Sequence, residues 1–165
     1  MSSSDIISII ANIAVILGIP VAIWTLKADH ERRKKQSTIE FYQQIASITM
    51  DLRDRIREVF GEDTINPTDG RYISNVELQK IIKKYLTLIQ RFSIGINIGV
   101  YDIDAFMRLS GRPTIKWFER LKPIIEKERE SMHRDYAYVE FEAMVKKMEQ
   151  KYKGKENKKG NIKLS

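Results

Sequence analysis

The chain has 165 residues, 42% hydrophobic and 31% charged, which is the composition of one folded domain with a short appendage rather than of a disordered chain. It has no cysteine and two histidines, which excludes disulfides and thiolate chemistry and leaves little scope for histidine-based catalysis or metal binding. Residues 36–145 hold 16 basic and 17 acidic residues, so the net charge of +7 comes from the two ends of the chain. That distribution favours a membrane surface over nucleic acid as the partner.

The first predicted element is a transmembrane helix from Ile6 to Leu26, a run of 21 residues without a charge. Such a helix is about 31 Å long, close to the ~30 Å hydrocarbon core of a bilayer. Trp24 lies near its C-terminal end, and residues 27–35 follow with five basic residues against two acidic ones. The positive-inside rule then predicts a single-pass protein of the inner membrane, with its N-terminus outside and the rest in the cytoplasm. A buried core helix and a cleaved signal peptide are weaker alternatives, because core helices seldom run this far uncharged and no basic residue precedes the apolar run.

Small residues recur along one face of this predicted helix at Ala14, Gly18 and Ala22. Small side chains allow two helices in lipid to approach closely. This face therefore predicts self-association of the membrane helix, and hence a homo-oligomer.

Four segments follow from this organisation. Residues 1–26 are a short external N-terminus and the transmembrane helix, and residues 27–36 are a basic junction. Residues 37–152 form a cytoplasmic helical domain, and residues 153–165 form a basic tail that we expect to be disordered. Residues 146–165 contain eight lysines against two glutamates. Together with residues 27–35 they are expected to bind anionic lipid headgroups.

The cytoplasmic domain is predicted to be an all-α bundle of about four to five helices. No segment alternates apolar and polar residues as a strand of a half-buried sheet does. The first helix has apolar residues every three or four positions and ends near Gly61, and the residues before it leave open whether it continues the membrane helix. A second helix is expected to start at Ser74, because Ser74 and Glu77 have the spacing of a capping box. Its first apolar residue is Leu78.

The later helices are predicted from their caps and stops. Asp102 is a candidate N-cap of a short third helix that Gly111 closes. A fourth helix follows from about Pro113 toward Glu130. The last helix is expected to end before Gly154, because glycine commonly follows the end of a helix.

The segment 95–111 is the most distinctive part of the chain. Gly95 and Gly99 are four residues apart, which on a helix would form a groove for another helix. Asp102 is expected to act as a cap, and Asp104 to pair with Arg108 one helical turn later.

A second interpretation of this region is an anion site. Arg91, Arg108 and Arg112 could bind a phosphate or a nucleotide, because a guanidinium group matches phosphate oxygens. A third is a hydrolase that uses Asp102 and Asp104, although the sequence shows no further carboxylate at a defined separation.

The segments Thr38-Ile39-Glu40-Phe41-Tyr42, Gly95-Ile96-Asn97 and Tyr101-Asp102-x-Asp104-x-Phe106-x-Arg108-Leu109-Ser110-Gly111, together with the apolar run and its basic flank, resemble a family of small bacterial membrane proteins. That family is classed as a domain of unknown function, and the similarity covers about residues 5–150. The resemblance implies one N-terminal membrane helix followed by a cytoplasmic helical domain, and it implies no activity.

Three functions are therefore expected in decreasing order. The first is a membrane-anchored interaction or signalling module without catalytic activity, cofactor or metal, which binds a protein partner or itself. It is favoured because the chain has no phosphate-binding loop, nucleophile elbow or metal-ligand motif. The second is a membrane effector of stress or phage defence that senses a nucleotide or another anionic ligand. The third is the hydrolase.

Overall fold

A computed structural model describes residues 3–132 and 135–162, and it describes the side chains of residue 16 and of residues 19–131 and 135–156. The described residues form five helices and no strand, which confirms the all-α prediction. The helices are α1 (Ser3–Phe60), α2 (Gly70–Ile73), α3 (Val76–Asn97), α4 (Ile103–Met132) and α5 (Val139–Ile162).

Four of these helices build one core. α3 packs against α1 and α5, and α4 packs against the same two helices. Contacts of Phe41 with Phe92 and of Arg53 with Tyr85 show that α3 runs antiparallel to the second half of α1. The largest fully buried side chains come from all four helices, as amphipathic packing requires, and are Ile56, Phe60, Ile82, Tyr85, Leu86, Phe92, Phe106, Leu121, Ile124, Ile125 and Phe141, joined by Ile65 from the loop after α1.

α1 is a single helix of 58 residues, and its N-terminal half lies outside the bundle. The first buried side chain along α1 within the described part is Thr38, and residues 19–33 are exposed at every position. The structure thus answers a point that the sequence left open, because the helix passes without a break through residues 27–37, here called the stalk.

Among the residues that the structure describes, no helix is long and apolar enough to cross a membrane. Most of the predicted span lies outside the described side chains, since these omit residues 6–15, 17 and 18. The same is true of Ala14 and Gly18 in the predicted association face, whereas Ala22 is exposed. The transmembrane helix and its self-association stay predictions.

One predicted helix boundary is wrong, because a neighbouring residue supplies the hydrogen bonds, and another is confirmed to within one residue. The N-cap of α3 is Asn75, whose side chain accepts the N–H of Leu78, while the hydroxyl of Ser74 donates to the carbonyl of Gly70 at the end of α2. The break predicted at Gly111 lies one residue earlier, at Ser110, whose backbone is not helical (φ −150°, ψ 17°), so α4 consists of two helical stretches joined at a kink. Pro113 contributes to this kink, because it has no N–H for the carbonyl four residues earlier.

The last predicted boundary is wrong as well. α5 continues through Gly154 to Ile162, so the tail expected to be disordered from residue 153 is helical as far as the structure describes it. A glycine inside a helix costs only about 1 kcal/mol relative to alanine, and its lysine-rich neighbours favour the helix. Residues 163–165 lie outside the described residues.

Candidate functional site

The stalk joins the bundle through a hydrogen-bonded contact between Thr38 and Asp102. The hydroxyl of the fully buried Thr38 donates to the carbonyl of Lys34 (2.7 Å) and accepts the backbone N–H of Asp102 (2.7 Å). The Asp102 carboxylate accepts the N–H of Ala105 (2.8 Å) and so caps α4, which confirms its predicted role as an N-cap. The end of the bundle that adjoins the stalk is therefore held by a buried polar contact.

An aromatic stack occupies the turn between α3 and α4. The centroid of the Tyr101 ring lies 5.3 Å from that of Phe92 and 5.1 Å from that of Phe41. The backbone N–H of Tyr101 donates to the carbonyl of Gly95 (3.0 Å). A Cβ atom on Gly95 would overlap this ring. Gly99 lies beyond the end of α3 with a φ of +83°, a conformation that suits glycine.

The predicted helix-packing groove at Gly95 and Gly99 is therefore wrong. Gly99 is not in a helix, and Gly95 accommodates the ring of Tyr101 rather than another helix. Gly111 has a similar role, because it lies against the hydroxyl of Tyr152 on α5.

Asp104 links α4 to α5. Its carboxylate pairs with Lys151 (2.6 Å) and with Lys155 (3.4 Å), and these hydrogen bonds and charges hold its pKa below the ordinary value of 3.8. The predicted pair between Asp104 and Arg108 is not formed. The two lysines of α5 take the place that the helical spacing had suggested for Arg108.

A groove of about 340 Å³ opens between the stalk and α4. We call it the stalk groove. Arg108 and Lys35 are exposed on it, and neither makes an ion pair or a hydrogen bond with another residue in the part of the chain that is described. The lining residues are Lys35, Ile39, Asp102, Asp104, Ala105, Arg108 and Leu109.

The three arginines predicted to bind an anion do not share one site. Arg108 lines the stalk groove, whereas Arg112 lines a separate groove, where its guanidinium group is 3.5 Å from the Glu156 carboxylate and lies over the Tyr152 ring. Arg91 is exposed on α3 and lines neither. Arg112 shares its groove with Lys153 but pairs with Glu156, whereas Arg108 has no partner among the described residues and lines its groove with another unpaired cation, Lys35.

The two carboxylates of the predicted hydrolase have structural partners. Asp102 caps α4, and Asp104 is ionised between two lysines, which makes it a poor proton donor at neutral pH. Among the described residues there is no group of three or more histidine, aspartate or glutamate side chains that could hold a metal ion.

Sequence reasoning missed two residues that shape this bundle, Thr38 and Arg120. Arg120 is 4% exposed, and its guanidinium group donates to the carbonyls of Gly61 (2.6 Å) and Asp63 (3.0 Å) while lying over the ring of Trp117. Both residues bond to main-chain groups more than 50 positions away. No local spacing in the sequence could have indicated these contacts.

Comparison with known proteins gives one family. A family model described as a domain of unknown function, DUF4760, matches residues 12–148, which agrees with the resemblance drawn from the sequence. No curated protein and no solved structure matches the chain.

Proposed function

The chain belongs to the DUF4760 family, a domain of unknown function, and we propose that it is a membrane-tethered helical bundle that binds a protein partner or further copies of itself and catalyses no reaction. The tether is the segment from Ile6 to Leu26 in a bacterial inner membrane. Its N-terminus lies outside, and the bundle lies in the cytoplasm.

The observation that carries this proposal is the free N-terminal half of α1. Its described apolar side chains lie outside the bundle and are each more than half exposed: Ile16, Ile19, Val21, Ile23, Trp24 and Leu26. Burying one such side chain is worth about 1.5–3 kcal/mol, so this surface favours an apolar environment. In the sequence it forms part of the uncharged run of 21 residues, which supports a lipid bilayer as that environment.

The charges next to this run support the orientation. The stalk contains Lys27, Arg32, Arg33, Lys34 and Lys35, on the side of the run that joins the bundle. We propose that these residues other than Lys35, together with the lysines of residues 146–165, contact anionic headgroups, whereas Lys35 lies about 14 Å along α1 from the end of the run and so beyond the headgroup layer. Thr38 is 12 residues beyond Leu26, so α1 holds the first buried contact of the bundle about 18 Å from the end of the apolar run.

Two surfaces support a binding role. The end of α3 that adjoins the stalk exposes Ile94, Ile98 and Val100 (41%, 69% and 53%), an apolar surface suited to a protein partner. In the membrane, the face of Ala14, Gly18 and Ala22 is the interface that we propose for self-association.

Membrane fractionation of charge variants tests the tether. Ile16→Arg combined with Ile19→Arg should move the protein into the carbonate-soluble fraction, because each arginine near the centre of a span costs about 2.5–3.5 kcal/mol. Ile98→Arg combined with Ile73→Arg is a matched control, since the exposed fractions are 69% and 57% against 67% and 57%. The control should stay in the membrane pellet. A wild-type protein found in the soluble fraction, or equal behaviour of the two variants, contradicts the tether.

Cross-linking in membranes tests the self-association. Gly18→Ile should reduce cross-linked oligomers, because a branched side chain separates helices that meet along Ala14, Gly18 and Ala22. Unchanged cross-linking would show that this face is not the contact.

A further inference from the structure

We infer that the stalk groove binds a small phosphomonoester whose phosphate carries a flat or apolar body. The lining residues belong to the bundle and the stalk, so the site stands whether or not the chain is tethered to a membrane. It goes beyond the interaction module proposed above, because it gives the bundle a soluble ligand.

The first reason is a pair of cationic side chains without partners. Arg108 lies one helical turn after Asp104, the position at which an intrahelical ion pair usually forms. Asp104 is instead held by Lys151 and Lys155 from α5. Arg108 is therefore left with its guanidinium group on the groove, where Lys35 from the stalk is exposed as well.

The second reason is the apolar surface beside these charges. Ile39 is 40% exposed and Leu109 is 44% exposed, and Ala105 lines the groove with them. A volume of about 340 Å³ is at the lower end of the range for small-molecule sites. The groove therefore fits a molecule of one or two rings next to an anionic group.

The third reason is the local charge. Asp102, Asp104, Lys35 and Arg108 line the groove, and Lys151 and Lys155 pair with Asp104 from outside the lining. These two carboxylates and four cations sum to a net charge of +2. This excess of two positive charges would balance the two negative charges of a phosphomonoester dianion. A guanidinium group binds phosphate oxygens through two parallel hydrogen bonds, and an ammonium group adds a point charge.

The position of the groove favours a ligand from solution over a lipid headgroup. If Ile6 to Leu26 is the anchor, Lys35 is nine residues past its end, or about 14 Å along α1. The headgroup layer of one leaflet extends only about 5–8 Å beyond the hydrocarbon core. This step and the use of nanodiscs in the test rest on the proposed tether, and failure of the chain to enter nanodiscs would contradict the tether rather than the site.

Titration of the full chain in neutral phosphatidylcholine nanodiscs tests the inference, with 1-naphthyl phosphate as the probe. We expect saturable binding of 1-naphthyl phosphate and at least tenfold weaker binding of 1-naphthol and of inorganic phosphate, because each lacks one half of the recognised chemistry. If adenosine monophosphate binds more tightly than 1-naphthyl phosphate, the ligand class is a nucleotide. If it binds less tightly, the group attached to the phosphate is an apolar one rather than a nucleoside. Phosphatidic acid in the nanodisc should not compete. Competition by this lipid would overturn the soluble ligand.

Three matched variants locate the site. Arg108→Gln and Lys35→Gln should each weaken binding of 1-naphthyl phosphate about tenfold or more, as the loss of a hydrogen bond to a charged group does. Arg91→Gln removes an exposed arginine of α3 outside the groove and should leave the affinity unchanged. All three positions are exposed, so unchanged melting temperatures are expected and confirm folding. No binding at millimolar probe, equal affinity for 1-naphthol, or equal loss in Arg91→Gln would overturn the inference.

Discussion

Gly95 lies against the ring of Tyr101, and a Cβ atom at this position would overlap Cδ2 and Cε2 of that ring. The ring cannot move freely, because it stacks on Phe92 and because the backbone N–H of Tyr101 donates to the Gly95 carbonyl. Gly95→Ala should therefore lower the free energy of unfolding by about 1–3 kcal/mol. Urea unfolding of the full chain, followed by the fluorescence of the buried Trp117, measures the change.

Gly154→Ala is the matched control. Gly154 also lies inside a helix, but apart from its neighbours in the chain and the backbone of its own helix, no atom of the described residues comes within 4 Å of the position of its Cβ. This substitution should raise the free energy of unfolding, by up to about 1 kcal/mol, through helix propensity alone. A loss of similar size in both variants would show that the Tyr101 contact does not constrain Gly95.

Glu142 makes the stability of the fold depend on pH in the acidic range. Its carboxylate accepts hydrogen bonds from Lys146 (2.6 Å) and Arg129 (2.9 Å), which hold its pKa below the ordinary value of 4.5. Because the pKa is lowered in the folded state, the stabilisation is complete above about pH 4.5 and is lost as the pH falls through the lowered value. Glu142→Gln should cost about 1 kcal/mol at pH 7, and the difference from wild type should shrink in acid.

The control for this prediction is Glu77→Gln. Glu77 lies 3.9 Å from Lys80, and its side chain is 70% exposed, against 27% for Glu142. Exposed pairs of this kind contribute little, so we expect almost no change in stability at any pH. Chemical unfolding at pH 7 and pH 4 compares the two variants, and a pH-independent loss in Glu142→Gln would contradict the electrostatic explanation.

The charged residues show how far local spacing predicts a site. Asp102 was predicted as a cap from its position before an apolar run, and the structure confirms it, because a cap uses atoms only three residues away. The partner of Asp104 was not predictable, because Lys151 is 47 positions away in sequence. The stalk groove was missed for the same reason, since Lys35 and Arg108 line one groove only after α1 and α4 pack.

The contact between α1 and the start of α4 depends on one hydroxyl group. Thr38→Val keeps the shape of the side chain but removes the acceptor for the N–H of the buried Asp102. We expect a loss of about 1–3 kcal/mol of stability, the cost of an unsatisfied buried donor. Hydrogen exchange should show reduced protection in the first turn of α4.

Thr87→Val separates this effect from the loss of a local hydrogen bond. Both threonines donate to the carbonyl four residues earlier, Thr38 to Lys34 (2.7 Å) and Thr87 to Lys83 (2.8 Å). Thr87 is exposed on α3 and accepts no distant N–H from the described residues, so the free energy of unfolding of its variant should lie within about 0.5 kcal/mol of the wild-type value. Equal losses in the two variants would contradict a role of Thr38 in joining the helices.

Apolar periodicity predicted the helices themselves, because each amphipathic stripe has to face a common core. Helix ends were predicted less well where two residues compete for one role. Ser74 and Asn75 can both cap a helix, and only the path of the short α2 determines that Asn75 does so. Glycine marked a true end at Gly61, where φ is +58°, and Gly111 lies one residue past the break at Ser110, but Gly154 lies inside α5.

The two tryptophans report on two parts of the molecule, because Trp24 lies on the free half of α1 and Trp117 lies in the bundle. Trp24 is 72% exposed on the free half of α1, whereas Trp117 is 4% exposed in the bundle, with its ring centroid 5.7 Å from the guanidinium carbon of Arg53. Arg53 is 27 residues beyond Leu26, or about 40 Å along α1. In a tethered molecule, spin-labelled lipids should therefore quench the fluorescence of Trp24 and leave that of Trp117 unchanged.

Single-tryptophan variants make this measurement direct. Trp24→Phe should remove the lipid-dependent quenching, and Trp117→Phe should retain it. Quenching of Trp117 would mean that the bundle lies on the bilayer, and an unquenched Trp24 would mean that α1 does not reach the headgroups.

In a tethered molecule, the unbroken helix α1 would fix the rotational position of the bundle relative to the anchor, residues 6–26. An α-helix advances about 1.5 Å and turns about 100° for each residue. One residue inserted between Lys27 and Lys35 would thus swing the stalk groove to another side of the anchor, while seven would return it to within about 20° of its first direction and lift it by about 10 Å. For a partner fixed in the same membrane, the rotation of the bundle would change more with each inserted residue than its height above the membrane. Binding of that partner should therefore be lost and recovered periodically as the insert is lengthened.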